Sequence, residues 1–400
     1  MPQTPRPLRA AIPRTVWALG LVSLFMDISS EMIHALLPLF LTTALGASAI
    51  YVGIVEGVGE AAAAIVKVFS GYASDRFGRR KPLILLGYGL GTLSKPLFAL
   101  AGAPGMVLLA RFSDRVGKGI RGAPRDALIA DVTPKEVRGR AYGLRQSLDT
   151  AGAFIGPLIA IGLMFLLAEN MRAVFWFALV PGMIAVLCVL LGVEDQGSGG
   201  APVSRSPVRL QDLAGLGRAF WVVVIVGVVF TLARFSEAFL VLKAHQAGLP
   251  LALAPLVLVA MNIVYSLGAY PAGLLSDQMP PARLLIVALL ALVGADLCLA
   301  LSGGLAGSFA GIALWGVHMA FSQGLLSKLV ADRAPAGLRA SAFGLFNMFT
   351  GIALLVASLL AGILWDRAGS SATFFTGAFF SALSILLVSV FLMKKVKPEA

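Results

Sequence analysis

ADVTPKEVRGRAYGL, residues 130–144, returns as ADRAPAGLRASAFGL, residues 331–345. Ala130, Asp131, Pro134, Arg138, Ala141, Gly143 and Leu144 recur as Ala331, Asp332, Pro335, Arg339, Ala342, Gly344 and Leu345. Gly71 and Asp75 recur as Gly273 and Asp277 at nearly the same offset. Gaps this equal mean that one unit is used twice. The repeat implies two related bundles that place the same loops on the same side, a parallel repeat of the kind transporters use.

The rest of the chain says what the bundles are made of. Of 400 residues, 58% are hydrophobic and only 13% charged. Apolar runs of about 20 residues recur from end to end, the length that crosses about 30 Å of hydrocarbon as helix. Backbone in lipid must be paired internally, so only helices or a closed barrel can span. The runs are too long and continuous for barrel strands, which alternate over about 10 residues. The fold class is therefore an all-α membrane protein with about twelve spans in two pseudo-symmetric six-helix bundles. Their expected cores are 15–43, 50–72, 81–101, 105–130, 139–167, 172–193, 218–244, 251–276, 281–303, 307–331, 338–366 and 371–393. Residues 194–217, rich in Gly, Ser and Pro, read as a linker between bundles 1–193 and 218–400.

Orientation follows from the basic residues in short loops. Arg6, Arg9 and Arg14 precede span 1; Arg76, Arg79, Arg80 and Lys81 join spans 2 and 3; Lys135, Arg138 and Arg140 join spans 4 and 5. Arg205, Arg209, Arg283, Arg333 and Arg339 continue the pattern, and Lys394, Lys395 and Lys397 end it. Both termini are expected in the cytoplasm, in the inner membrane. This asymmetry accounts for much of the net charge of +12, so no nucleic-acid partner is implied. Cys188 and Cys298 lie in apolar runs and imply no disulfide framework.

GYASDRFGRRK, from Gly71 to Lys81, resembles the loop signature between spans 2 and 3 of the major facilitator superfamily. Gly71, Asp75, Arg76, Gly78, Arg79 and Arg80 fill the pattern, with an echo at Gly273 and Asp277. In physical terms, Gly71 permits close helix approach. Asp75 at a helix end can cap a neighbouring helix or pair with a span-4 arginine. A contact made in one state and broken in the other gates; the alternative is a topology signal alone. In span 5, Gly143, Gly152, Gly156 and Pro157 resemble the motif of drug/proton antiporters, although Ala160 and Ile161 stand where a glycine pair is usual. Helix packing with a proline kink explains the same residues without any export.

Span 4 carries the most unusual stretch, RFSDRVGKGIRGAPRD at 111–126. Arg111, Arg115, Lys118 and Arg125 share one helical stripe, and Arg115 falls about 15 Å from the outer end. Each charge facing lipid would cost at least about 2.5–3.5 kcal/mol, so the stripe must face water or buried acids. Candidate acids are Asp27 and Glu31 on the face of span 1 that carries His34, Glu56 and Glu60 in span 2, and Asp149 beside Arg145 in span 5. Asp114 belongs to the same expected pathway, as do Arg234 and Glu237 in span 7. Asn262, Asp296 and His318 are the other polar residues of the second half.

Three readings of these charges stand side by side. They form a substrate and proton pathway in which Asp27, Glu31 or Glu60 alternates between a proton and an arginine. They are structural locks. Or Asp27, Glu31 and His34 hold a metal, which the absence of a second His or Cys at matching spacing disfavours. No phosphate loop, nucleophile elbow or metal set points to an enzyme. The expected protein is a monomeric secondary transporter of a small molecule, driven by the proton gradient without a cofactor. Efflux by antiport is favoured on the span-5 motif. Uptake of an anionic metabolite is the runner-up on the span-4 cations, and a membrane sensor is the reading from another class.

Overall fold

The computed structural model describes residues 12–77, 79–194, 215–322, 324–334 and 338–393. Among them every regular element is helical. Eleven helical stretches are long and apolar enough to cross a bilayer. Span 4, Pro104–Val132, is equally long at 29 residues, and its charges alone keep it from that set. Observed ends follow the expected cores closely: span 2 is Ala49–Phe77, span 3 Lys81–Leu100, span 5 Arg138–Leu166 and span 6 Met171–Gly192. Spans 8 and 9 are Leu256–Gln278 and Pro281–Leu301; span 11 is Arg339–Ala368, and span 12 begins as Ser370–Leu387. Most of the expected linker, the first eleven residues and Lys394, Lys395 and Lys397 lie outside the described residues.

Three spans are interrupted, which the sequence reading did not foresee. Span 1 runs Arg14–His34, turns at Ala35 and Leu36, and resumes as Leu37–Leu39 and a π-helical turn, Phe40–Ala44. Pro38 has no N–H to give the carbonyl of His34, so the ladder stops there. Span 7 stops at Ala233 and restarts as Ala238–Gln246. No Pro or Gly breaks it; the Ser236 hydroxyl accepts the Ala238 N–H at 3.2 Å, an alternative to the helix ladder. Span 10 stops at Ser322 and restarts at Leu325 after Gly324, whose φ of +76° suits glycine.

Packing repeats between the halves. Span 1 lies against spans 5 and 6, span 4 against spans 2 and 3, and span 3 against span 6. Span 7 likewise meets 11 and 12, span 10 meets 8 and 9, and span 9 meets 12. The two halves touch through the matching pairs 2–11 and 5–8. Glycines allow the first of these: a Cβ at Gly53 would fall on the Ser358 carbonyl, and one at Gly362 on Ala49.

The apolar cores reveal how the halves meet. At one end a single core draws on both, with Phe40, Phe98 and Phe175 from the first and Phe235, Phe239, Trp315 and Phe374 from the second. At the other end each half has its own core. Leu19, Val22, Tyr88 and Leu128 belong to one, and Phe220, Val224, Leu285 and Phe346 to the other. The molecule is thus sealed at one end and parted at the end that carries Arg14, Arg80 and Arg138. A polar latch ties the sealed end. Asp366 of span 11 accepts the Ala49 and Ile50 N–H groups at 3.0 and 2.9 Å, capping span 2 from the opposite half.

Removing that cap with Asp366→Ala should cost the sealed state about 1 kcal/mol, a shift of about five-fold toward opening at that end. Spin-label distances between the ends of spans 2 and 11 in the purified protein report it; an unchanged distribution would show that the latch holds nothing.

Candidate functional site: a charged vestibule between the halves

Spans 2 and 4 face each other with charges one helical turn apart on both. Glu56 and Glu60 meet Arg111 and Arg115 as rungs of a ladder. Arg111 Nη2 lies 2.6 Å from Glu56 Oε2, and Arg115 Nη2 lies 3.1 Å from Glu60 Oε1. A diagonal contact of 3.9 Å joins Arg111 to Glu60. Gly59 leaves room for the arginine stems, since a Cβ there would stand 3.1 Å from both Cγ atoms. Arg111 and Glu56 are each only 2% exposed.

Span 1 extends the network. His34 Nε2 is 3.5 Å from Glu56 and its Nδ1 3.4 Å from Glu31. Ser236, in the break of span 7, donates to Glu56 at 3.5 Å, so the second half touches the network too. Both His34 nitrogens therefore face glutamates, and Asp27 looks elsewhere. It lines the second chamber with Asp149 of span 5, to which Arg145 donates at 3.0 Å. Gly152 and Gly156 bring span 5 onto the Leu24 and Ile28 carbonyls of span 1, with Asp27 beside Gly152. Buried Pro157 follows in the same helix. Gly143, from the same motif, meets open space, so close packing accounts for three of the four motif residues.

These groups wall a vestibule. Its inner chamber, of about 360 Å³, is lined by Glu31, His34, Glu56, Glu60, Arg115 and Lys118 from the first half. Arg234, Glu237 and Asn262 line it from the second. Arg234 and Glu237 are 3.6 Å apart across the span-7 break. A second chamber of about 510 Å³ continues from it along Asp27, Lys118, Arg125, Arg145, Asp149 and Asn347. Lys118 lines both and has no ion-pair partner among the described residues. Three carboxylates stand forward of the ladder arginines, Glu31 and Asp149 at 24% and Glu60 at 34% exposed against 2% for Arg111 and 7% for Arg115, while Lys118 and Arg234 are as open as the acids.

Asp114, expected on the pathway, is not on the wall. One residue before Arg115, it points about 100° away and meets Lys95 of span 3 at 2.9 Å. Lys95 also donates to Ser30 at 3.0 Å. Both ends of this pair are buried, and neither lines a chamber. The sequence reading missed Lys95, although a lone lysine inside an apolar span is itself a signal. It also passed over Arg121, which lies 4.6 Å above the Tyr88 ring and lines the second chamber. Arg125 reaches Ser23 and Tyr88. Asp296 and His318 are fully buried away from the wall.

In the loop signature, a Cβ at Gly71 would stand 3.3 Å from that of Ala123 in span 4, whereas one at Gly273 would meet open space, so the close-approach reading holds only in the first half. Arg80 binds Asp131 of span 4 at 2.6 Å and Ser74 at 3.0 Å. Arg76 reaches the Tyr72 hydroxyl at 3.4 Å, and Arg79 is exposed. The Asp75 and Asp277 side chains, and Gly78, lie outside what is described. Among the described residues the cation of this loop and the acid of span 4 form a pair; the contact expected of Asp75 lies outside them.

A family model described as the Major Facilitator Superfamily matches residues 19–358 and 239–400. The uncharacterised MFS-type transporter MJ1317 of Methanocaldococcus jannaschii is 30% identical over 94% of each chain. Multidrug resistance protein MdtH of Proteus mirabilis is 32% identical, over 41% of this chain and 40% of its own. The crystal structure of the human organic anion transporter MFSD10 superposes with a TM-score of 0.67 at 18% identity, covering 95% of this chain and 100% of that one. At that identity it demonstrates a common fold and nothing more.

Arg111→Ala strands a buried Glu56 and should cost about 3–5 kcal/mol of stability, whereas Arg111→Met combined with Glu56→Leu should recover most of it. Thermal unfolding of the purified variants, run as a double-mutant cycle, measures the difference; additive losses would mean that the two side chains do not act as a pair.

Proposed function

From the premise that this chain belongs to the Major Facilitator Superfamily, we propose that it exports a small, positively charged organic solute in exchange for protons. Membership makes it a multi-pass membrane transporter and not an enzyme. We place it in the inner membrane as a monomer, with both termini and the parted, arginine-bearing end in the cytoplasm. The state described above is then inward-open. Alternating access follows when bundles 1–193 and 218–400, tethered by 194–217, rock about the vestibule.

The observation that carries this reading is the exposure of Glu31, Glu60 and Asp149 on the vestibule wall, with Arg111 and Arg115 held behind them. A cation entering from the cytoplasm finds these acids within reach, with the exposed Lys118 as the cation it must pass. The Asp27–Asp149 pair can hold either that cation or a proton, and competition for one site is what an exchanger needs. One proton exchanged for one monovalent cation moves no net charge, so the pH difference drives the exchange: each unit supplies about 1.4 kcal/mol, enough for a solute ratio of about ten. The partial likeness to a multidrug resistance protein points the same way.

Lys118 favours a second reading. An anion bound there would be helped by a proton on Asp27, because the neutral acid no longer competes for the lysine ammonium. Helpful coupling of that kind drives proton-linked uptake of an anionic metabolite. The charge of the solute and the direction of transport are therefore linked through these two side chains.

In everted vesicles with an acid interior, a quaternary ammonium dye should accumulate, Asp27→Asn should abolish accumulation with the protein still folded in the membrane, and Lys118→Ala should spare it. Accumulation of organic anions by intact cells, lost in Lys118→Ala, would reverse the direction.

A further inference from the structure

The shift that carries Asp131 onto Asp332 and Arg138 onto Arg339 also carries Lys95 onto Asp296 and Asp114 onto Trp315. Contacts respect it: Gly87 touches Gly117, and at the matching places His318 Nδ1 donates to the Ala288 carbonyl at 2.8 Å. Position for position, the first half holds a buried ion pair where the second holds a carboxyl and an indole. Lys95 and Asp114 satisfy each other. Asp296 is 0% exposed, and neither of its oxygens has a hydrogen-bond partner; Trp315 Nε1 has none either.

An ionised carboxylate without a partner in such a place is prohibitively costly, so the group holds a proton here. An aromatic ring of the chamber wall stands beside it. A Cβ built on Gly377 would stand 2.7 Å from Asp296 Oδ2 and 3.0 Å from Phe235 Cε1, so acid and ring edge crowd one point. Phe235 lines the inner chamber and belongs to the non-helical break of span 7, the segment between Ala233 and Ala238. Arg234 precedes it in the same break.

We propose that Asp296 is a second proton-binding carboxyl of the transport cycle, gated by the Phe235 ring. This rests on the proton-coupled reading above and extends it to the second half. When the span-7 break shifts, the ring uncovers the acid. The carboxyl O–H bond then breaks, its proton passes to chamber water, and the carboxylate left behind is met by Arg234. Return of the ring requires the proton back.

Other titratable groups around Asp296 are few. His318 of span 10 sits at the level of Ala288, about 12 Å along the helix. Span 12 brings no titratable group within Ser370–Leu387, and span 8 brings Tyr265, Tyr270 and Asp277. Lys328, Asp332 and Arg333 of the helix Leu325–Arg333, and Arg283 of span 9 itself, lie toward the parted end.

The test needs no substrate. Infrared difference spectra of the purified protein in liposomes, taken on transfer to heavy water, read the stretch of buried protonated carboxyls. A slowly exchanging band should be present in the wild type, lost in Asp296→Asn, and exchanged at least ten-fold faster in Phe235→Ala. The pH-driven change in spin-label distance across the parted end should shrink in Asp296→Asn relative to the wild type. A band that survives Asp296→Asn overturns the proposal. So does a lost band with an unchanged pH response, which leaves a protonated but static acid. If Asp296→Asn does not fold, the Phe235→Ala exchange rate decides alone, and no acceleration overturns the gate. A wild type without any pH response sinks the proton-coupled reading itself, and this proposal with it.

Discussion

A charge inside hydrocarbon has to be answered by an opposite charge or by water, and that requirement organises the first half of this molecule. The ladder of Glu56 and Glu60 against Arg111 and Arg115 decides how spans 2 and 4 must rotate and slide. A one-residue slip would turn every rung by about 100° and leave buried arginines facing lipid. Lys95 and Asp114 fix span 3 on the other side of span 4 by the same rule. Span 4 is consequently the least apolar crossing and the one most tightly determined by its neighbours. Buried pairs of this type add little net stability over apolar packing, but they make wrong registers very costly.

The halves divide the work differently despite their common plan. The first half meets the vestibule mostly with ions; the second adds Arg234, Glu237, Asn262 and Phe235, and behind Phe235 the rings of Phe239, Trp315, Trp365 and Phe374 contact one another in a continuous cluster. Aromatic packing tolerates sliding better than an ion pair does, since edge-on and tilted arrangements differ little in energy. The ionic half is thus the one whose register is fixed, and the aromatic cluster the one whose packing tolerates displacement. Within that cluster, the break at 234–237 is the one stretch at the vestibule wall whose backbone has left the helix ladder.

Much of this was legible beforehand, for physical reasons that can be named. Span lengths follow from bilayer thickness, and the two-fold plan follows from the recurrence of Asp131 and Arg138 as Asp332 and Arg339. Arg111, Arg115 and Lys118 had to face something polar whatever the fold. Which acid each would meet did not follow. Helical periodicity gives a face but not the neighbour opposite it, so Asp114 was assigned with its neighbours in sequence and not with Lys95. The span-7 break also escaped, because RFSE contains no helix breaker. Its bend comes from a hydroxyl competing for one backbone N–H. Asp296 was visible as an intramembrane acid; that it has no partner is a fact of packing alone.

Two glycine-lined contacts show why the molecule can part where it does. Spans 1 and 5 approach backbone to backbone at Gly152 and Gly156, inside one half, with the charged Asp27, Arg145 and Asp149 on the chamber wall beside them. Spans 2 and 11 approach equally closely at Gly53, Gly57 and Gly362, but across the halves, and among the described residues the polar ties there are the two N–H bonds to exposed Asp366. Backbone packed on backbone has few interlocked rotamers to undo. Such a seam can open as a rigid-body step, without repacking side chains in either bundle. A seam closed by large interdigitated side chains would have to melt before it moved. The same residue type thus serves two ends: reinforced by ions within a half it makes a permanent joint, and left bare between halves it makes one that opens.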